Sequence, residues 1–264
     1  MARYAYDAYV LRVATEIQFQ QTDKSKVLKT AIKINGQSID IPDEWGEVTF
    51  GQFLLLKDAD TDAKILAAIT GFDVALCKQI DVDYLNAILL PIAELGEVPT
   101  VDNPLICGKV VPDNIGRMEY ARKVNCDSLG RKYESEEMIG RMVAVYLADG
   151  IEDEDIDEMY GKVLNEPLPD VIGAGKLLSD QLNKLRESEE KIPSPQYESE
   201  ELRAGIKDFA KYGVFGLVRG IALRYGCKIE EVYNWSYNSV LLELRYSSEE
   251  SAYQRKLNRI LSKK

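Results

Sequence analysis

Ile41-Pro42-Asp43-Glu44-Trp45-Gly46-Glu47-Val48-Thr49-Phe50 and, seventy positions on, Val111-Pro112-Asp113-Asn114-Ile115-Gly116-Arg117-Met118-Glu119-Tyr120 share one pattern. Both read as aliphatic, Pro, Asp, any residue, large apolar, Gly, charged, apolar, polar, aromatic, so backbone-setting and apolar positions recur together. A recurrence of that kind points to a repeated structural unit before it points to any chemistry. Downstream, Asp81-Val82-Asp83-Tyr84-Leu85 matches Asp155-Ile156-Asp157-Glu158-Met159 at an offset of 74, and Leu89-Leu90 then falls opposite Val163-Leu164. The four-residue difference between the two offsets is an ordinary loop insertion.

Local signals around the first copy are those of a hairpin leading into a helix. Ile32 and Ile34 precede Asn35-Gly36, and Ile39 and Ile41 follow it, an alternation across a dipeptide that tolerates positive φ. Thr49-Phe50-Gly51-Gln52 has the spacing of a capping box, with Val48 and Phe53 placed as a hydrophobic staple. In the second copy Glu119 and Arg122 stand where the box would be. Val13, Thr15, Ile17 and Phe19 alternate as a half-buried strand would. Further helical faces are expected from Ile65, Leu66 and Ile69, from Val82, Leu85, Leu89 and Leu90, and from Met138 to Leu147.

The resulting expectation is an α+β chain, mainly α-helical, with two β-hairpin-plus-helices units in tandem followed by a C-terminal helical region. Residues 1–31 form a strand-rich arm, 32–100 the first unit, 101–186 the second, 187–200 a linker and 201–264 the helical region. The linker rests on the polar run Glu187 to Gln196 with Pro193 and Pro195. Beyond it, Leu202, Ile206 and Phe209, then Val214, Val218, Ile221 and Tyr225, make a helical pattern that drifts at Gly213. Short helices are expected at Glu230–Tyr233 and Ser236–Leu244, with a last helix starting at Ser247-Ser248-Glu249-Glu250. Arg255, Lys256, Arg259, Lys263 and Lys264 complement the dipole at its end.

The 264-residue chain contains no histidine, which removes Ser-His-Asp and Cys-His catalysis and His-ligated zinc. Cys77, Cys107, Cys126 and Cys227 match no thiolate cluster or redox pair and read as buried free thiols. No apolar run approaches the roughly 20 residues of a bilayer span, so the chain is expected to be soluble, with no membrane partner. Its 33 basic and 44 acidic residues, net −11, disfavour a nucleic-acid partner.

Gly173-Ala174-Gly175-Lys176 looks like the end of a phosphate loop, but Asp170 and Leu177 occupy positions that need Gly and Ser or Thr. Asp153, Asp155, Asp157 and Asp58, Asp60, Asp62 have the early spacing of calcium loops, yet Glu158 and Ala63 stand at the required glycine. Acidic helix starts are the simpler reading of both. No catalytic, cofactor-binding or metal residue is nominated, and no cofactor is expected. The 15 tyrosines suit protein interfaces. Candidate partner-binding residues are Trp45, Tyr225, Tyr233, Trp235 and Tyr237.

From Ile34-Asn35-Gly36 through Ile41-Pro42 to Phe53, the chain resembles morphogenesis proteins of tailed bacteriophages, especially tail assembly chaperones. Ile221-Ala222-Leu223-Arg224-Tyr225-Gly226 to Glu230-Glu231-Val232, then Leu241 to Leu244, resembles the small helical tail of the same proteins. The resemblance covers about a third of the chain. It implies a non-enzymatic virion assembly protein, made in the cytoplasm of an infected bacterium, that binds phage structural proteins. It leaves open a homo-oligomer or ring, and a structural component of the particle such as a tail, neck-ring or packaged protein. A histidine-free cytosolic enzyme is the remote alternative.

Overall fold

The computed structural model describes residues 31–34, 37–80, 85, 89–90, 92–93, 95–193, 197 and 199–262. The strand expected at Val13 to Phe19, the Asn35-Gly36 turn and the Asp81–Tyr84 block lie outside the described residues. The described residues are mainly helical, with two small antiparallel ribbons among them. In the first ribbon, β1 (Ala31–Ile34) pairs with β2 (Gln37–Asp40), with Ile32 opposite Ile39 as the alternation requires. In the second, β3 (Leu105–Ile106) pairs with β4 (Lys109–Val110) and turns through Cys107 and Gly108, at φ of 53° and 71°. Positive φ at both central residues is what a tight two-residue hairpin demands.

Each ribbon leads through the Pro-Asp segment into a single 3₁₀ turn, Trp45–Glu47 or Ile115–Arg117, and then into a helix. After the first turn come α1 (Phe50–Lys57), α2 (Asp62–Thr70) and α3 (Val74–Cys77). After the second come α4 (Tyr120–Leu129), α5 (Ser135–Leu147), α6 (Asp153–Val163) and α7 (Leu168–Glu190). The C-terminal region holds α8 (Ser199–Arg203), a 3₁₀ helix at Ile206–Tyr212, α9 (Gly213–Tyr225), α10 (Ile229–Tyr233) and α11 (Tyr237–Leu261).

The chain divides into two compact units. One contains the described residues up to Val110 together with Glu158–Ala174; the other contains Val111–Asp157 and Gly175–Lys264. The first has its core where Ile41 meets α2 and α3: Ile41, Leu66, Ile69 and Cys77 are buried with Leu85 and Leu89. In the second, Val218, Ile221 and Ala222 of α9 pack with Val232, Tyr237, Val240 and Tyr120.

A similar junction organises each unit. Thr49 and Pro167 form an isolated antiparallel bridge, flanked by Phe50 N–H donating to the Glu166 carbonyl at 2.9 Å and Leu168 N–H to the Val48 carbonyl at 2.8 Å. Glu119 and Ser236 form the same bridge, with Tyr120 N–H to the Trp235 carbonyl at 2.8 Å and Tyr237 N–H to the Met118 carbonyl at 2.9 Å. Each bridge starts two helices at once, α1 with α7 and α4 with α11. The donors are first-turn amides that have no partner inside their own helix, so pairing the two starts satisfies groups that would otherwise need water or a side chain.

The capping box forms as its spacing predicts: Gln52 N–H donates to Thr49 Oγ1 at 3.2 Å and Thr49 N–H to Gln52 Oε1 at 2.9 Å. At the second copy, Arg122 and Glu119 form an ion pair at 2.7 Å, and Glu119 makes no side-chain cap. Gly71 and Gly226 end α2 and α9 in the left-handed conformation, each N–H returning to an alanine carbonyl, Ala67 or Ala222.

The units group differently from the expected 32–100, 101–186 and 201–264, since Glu158–Ala174 joins the first unit and Gly175–Lys264 joins Val111–Asp157, and two helix boundaries differ as well. The segment 236–261 is one continuous helix, not two, because Ser247 and Ser248 do not cap a new start. Ser247 Oγ accepts from Arg224 at 3.1 Å and Ser248 Oγ donates to the Pro193 carbonyl at 3.0 Å, while Ser236 caps the whole helix. Helix α7 also runs through Glu187–Glu190, part of the stretch read as linker. No breaker precedes Pro193, and Lys123 of α4 pairs with Glu189 at 2.9 Å. The acidic triplets stand near helix starts, where Asp60 pairs with Lys64 and Asp157 with Arg141. Gly173 and Gly175 lie inside α7, not in a loop. A Cβ at Gly173 would fall 2.4 Å from the Val101 carbonyl oxygen, so close packing accounts for it.

Candidate functional site

Phe209, Tyr212 and Phe215 recur every third residue across the junction between the 3₁₀ helix and α9. A 3₁₀ helix stacks residues three apart on one side, so Phe209 and Tyr212 come together, their ring centroids 6.1 Å apart. Gly213 then breaks the helical path at φ 46° and ψ −126°, a conformation closed to residues with a side chain. The break starts α9 with Phe215 and Gly216 turned to the same hollow. Inward, Val218, Ile221 and Ala222 are buried in the core, which leaves Val214 and Phe215 exposed on the outer face.

The result is an open groove of about 860 Å³, lined by Tyr197, Phe209, Tyr212, Phe215, Leu217 and the two cations Lys207 and Arg219, among others. Phe209 is 66% exposed. Lys211 sits 5.2 Å above the Tyr212 ring, so a third cation lies at the edge. An exposed aromatic cluster rimmed by charge is the composition of an interaction surface or ligand-binding groove. The groove offers apolar contact and favourable potential for carboxylates. It holds no paired acid and base, and among the described residues no cluster of acids and thiols is arranged to hold a metal ion.

The tyrosines and tryptophans singled out from sequence fall into distinct environments. Tyr225 and Trp235 meet edge to face with centroids 5.2 Å apart, and Tyr225 Oη donates to Glu243 at 2.5 Å. That bond, with some burial and the Glu243 charge, pushes the Tyr225 hydroxyl pKa up. Tyr233 is half-buried and stacks on Tyr120 at 6.4 Å. Tyr237 is a correction: at 2% exposure it has no surface to offer a partner, and its ring stacks on Tyr120 at 6.2 Å inside the core. Burial, reinforced by the Glu189 carboxylate, keeps its hydroxyl protonated well above the ordinary range. Trp45 belongs to the other unit, where its Nε1 donates to the Gly96 carbonyl at 2.8 Å and its ring meets Phe53 edge to face.

The groove aromatics were within reach of the sequence. The pattern drift at Gly213 and the i, i+3, i+6 spacing of Phe209, Tyr212 and Phe215 were the signal, but a helix period of 3.6 scatters those residues, whereas a 3₁₀ period gathers them. Tyr225, Trp235 and the groove share one unit, so Trp45 is the one nominated aromatic that lies in the other. No helix among the described residues is long and apolar enough to cross a membrane. Compared with known protein families, curated proteins and solved structures, the chain matches none.

Proposed function

We propose that the chain is a non-enzymatic assembly protein of tailed bacteriophages, similar in role to tail assembly chaperones. It acts in the cytoplasm of the infected bacterium by holding an apolar, acidic segment of a phage structural protein in the Phe209–Phe215 groove. The observation that carries the binding half of this reading is the uncovered aromatic wall, since removing such surface from water drives association. Lys207, Lys211 and Arg219 select carboxylates in the occupant and reject a basic one. The phage half rests on the resemblance carried by Ile34 to Phe53 and Ile221 to Leu244. In this reading the two Pro-Asp segments, each preceded by a ribbon and followed by a bridge that starts two helices, are tandem copies of one unit.

The test is capture of phage structural proteins from infected cells by the wild-type chain and by Phe209→Glu, a change at a largely exposed site whose fold far-UV circular dichroism verifies. The proposal expects one tail protein enriched by wild type and lost with the variant. Equal capture by both, or none by either, overturns it. Mass spectrometry of purified particles separates the two roles: absence supports a chaperone, whereas stoichiometric presence favours a structural component of the tail or neck.

A further inference from the structure

Helix α11 outruns the body that supports it. Tyr237 and Val240 are buried at its start, but from Ser251 to Leu261 no residue is buried. The exposed side of the helix, from Leu242 on, is not polar. Leu242, Tyr246, Tyr253 and Ile260 are each more than half exposed, and half-buried Leu257 joins them. At 100° per residue, Tyr246, Tyr253 and Ile260, spaced by seven, lie within a narrow stripe with Leu242 and Leu257. Glu249 and Lys256, also seven apart, follow one flank of that stripe. Tyr246 and Glu250 are held from the inner side by Arg224, whose guanidinium lies 5.8 Å from the Tyr246 ring and 3.2 Å from Glu250.

We propose that this stripe is a self-association surface, its occupant the same helix of a second copy packed antiparallel about a twofold axis at Tyr253. The charge order along the helix picks that arrangement. Along the flank, Arg245 is basic, Glu249 acidic and Lys256 basic, while Glu250 lies on the opposite flank and is already paired with Arg224. A parallel pair in register would set Glu249 beside Glu250 of the second copy, whereas an antiparallel pair sets Glu249 beside Lys256 of the second copy. With the axis at Tyr253, Tyr246 stands opposite Ile260 of the second copy and Tyr253 opposite itself. A twofold axis across the interface returns each flank to the same flank, so Glu249 comes within one residue's rise, about 1.5 Å, of the level of Lys256 in the second copy. The pair forms twice. Closing on a twofold also limits assembly to a dimer, so the surface does not polymerise.

Sedimentation equilibrium of the full chain at about 1 to 100 μM tests this. The wild type is expected to dimerise. Glu249→Lys alone and Lys256→Glu alone each place like charges together at both symmetric contacts and should weaken the dimer about tenfold. The double variant Glu249→Lys with Lys256→Glu restores complementarity and should return to the wild-type constant. Far-UV circular dichroism of each variant verifies that the fold is kept. A monomeric wild type, a dimer indifferent to Glu249→Lys, or a double variant as weak as the singles overturns the proposal. The groove is untouched by these changes, so capture of a structural partner by wild type and by the double variant reports separately on the proposed function.

Discussion

Gln52 and Arg122, seventy positions apart, make the same connection in their separate units. Gln52 Nε2 donates to the Ile69 carbonyl at 2.6 Å, in the last turn of α2, and Arg122 Nη1 donates to the Val145 carbonyl at 2.5 Å, in the last turn of α5. Each side chain ties the start of one helix to the end of the next and satisfies a carbonyl that has no partner within its own helix. A neutral amide does this in one unit and a guanidinium in the other.

The two ties should differ in strength. Arg122 is 4% exposed and charged, and hydrogen bonds to charged groups contribute about 1.5–3 kcal/mol against about 1 kcal/mol for neutral ones. Arg122→Ala is therefore expected to lower unfolding stability by more than Gln52→Ala, by about a further 1 kcal/mol. Denaturant unfolding of the two variants measures this, and a larger loss for Gln52→Ala would show that the shared geometry misleads.

Gly51 is required by approach, not by its own φ. Its N–H donates to the Leu164 carbonyl at 2.8 Å, and a Cβ built there would fall 2.9 Å from the same oxygen. The corresponding residue in the second copy is Ala121, whose methyl is accommodated. Gly51→Ala should destabilise by about 1–3 kcal/mol through the forced shift. A thermal unfolding scan in which Gly51→Ala matches or exceeds wild type would remove the close approach as the reason for glycine.

Acid should act through Glu119. Burial resists its ionisation, but the hydrogen bond from Arg122, a backbone hydrogen bond and the Arg122 charge outweigh that and hold the carboxyl below its ordinary value of 4.5. A carboxyl depressed in the folded chain adds stability that is present above about 4.5 and lost as pH falls through the folded value. The stability gap between wild type and Glu119→Gln is accordingly expected to narrow below about pH 4.5, and a gap constant with pH would refute the assignment.

All four cysteines are free, but only Cys77 is fully buried; the other three are half-buried. Burial, and then the Asp73 carboxylate, push the Cys77 thiol up, which withholds the reactive thiolate. Brief alkylation of the folded chain at mildly alkaline pH should leave Cys77 unmodified while denaturant exposes it, as read by peptide mass mapping. Modification of Cys77 at the same rate in both states would contradict its place in the core.

Much of the local structure was legible in sequence because it depends on neighbours a few residues apart. The Thr49/Gln52 box, the pairing of Ile32 with Ile39, the end of α9 at Gly226 and the start of α10 follow from spacing and from residues with restricted or permissive backbones. The partners of the Pro-Asp segments were harder to find. Val163-Leu164-Asn165-Glu166-Pro167-Leu168 and Val232-Tyr233-Asn234-Trp235-Ser236-Tyr237 keep Val and Asn sixty-nine positions apart but little else. They come to occupy the same place beside Thr49 and Glu119 because their contacts there are made by backbone groups, on which side-chain identity leaves only a faint mark.

By itself the sequence determined the capping box at Thr49, the helix end at Gly226, the hairpin of Ile32 and Ile39, and that histidine chemistry is absent, because these follow from local sterics, capping and composition. Only the tertiary structure decided that Thr49 meets Pro167 and Glu119 meets Ser236, that Tyr237 is core and Tyr225 surface, and that Phe209, Tyr212 and Phe215 share one groove. Those outcomes depend on which distant segments compete for the same unsatisfied amides and apolar faces, and no window of neighbouring residues contains both competitors.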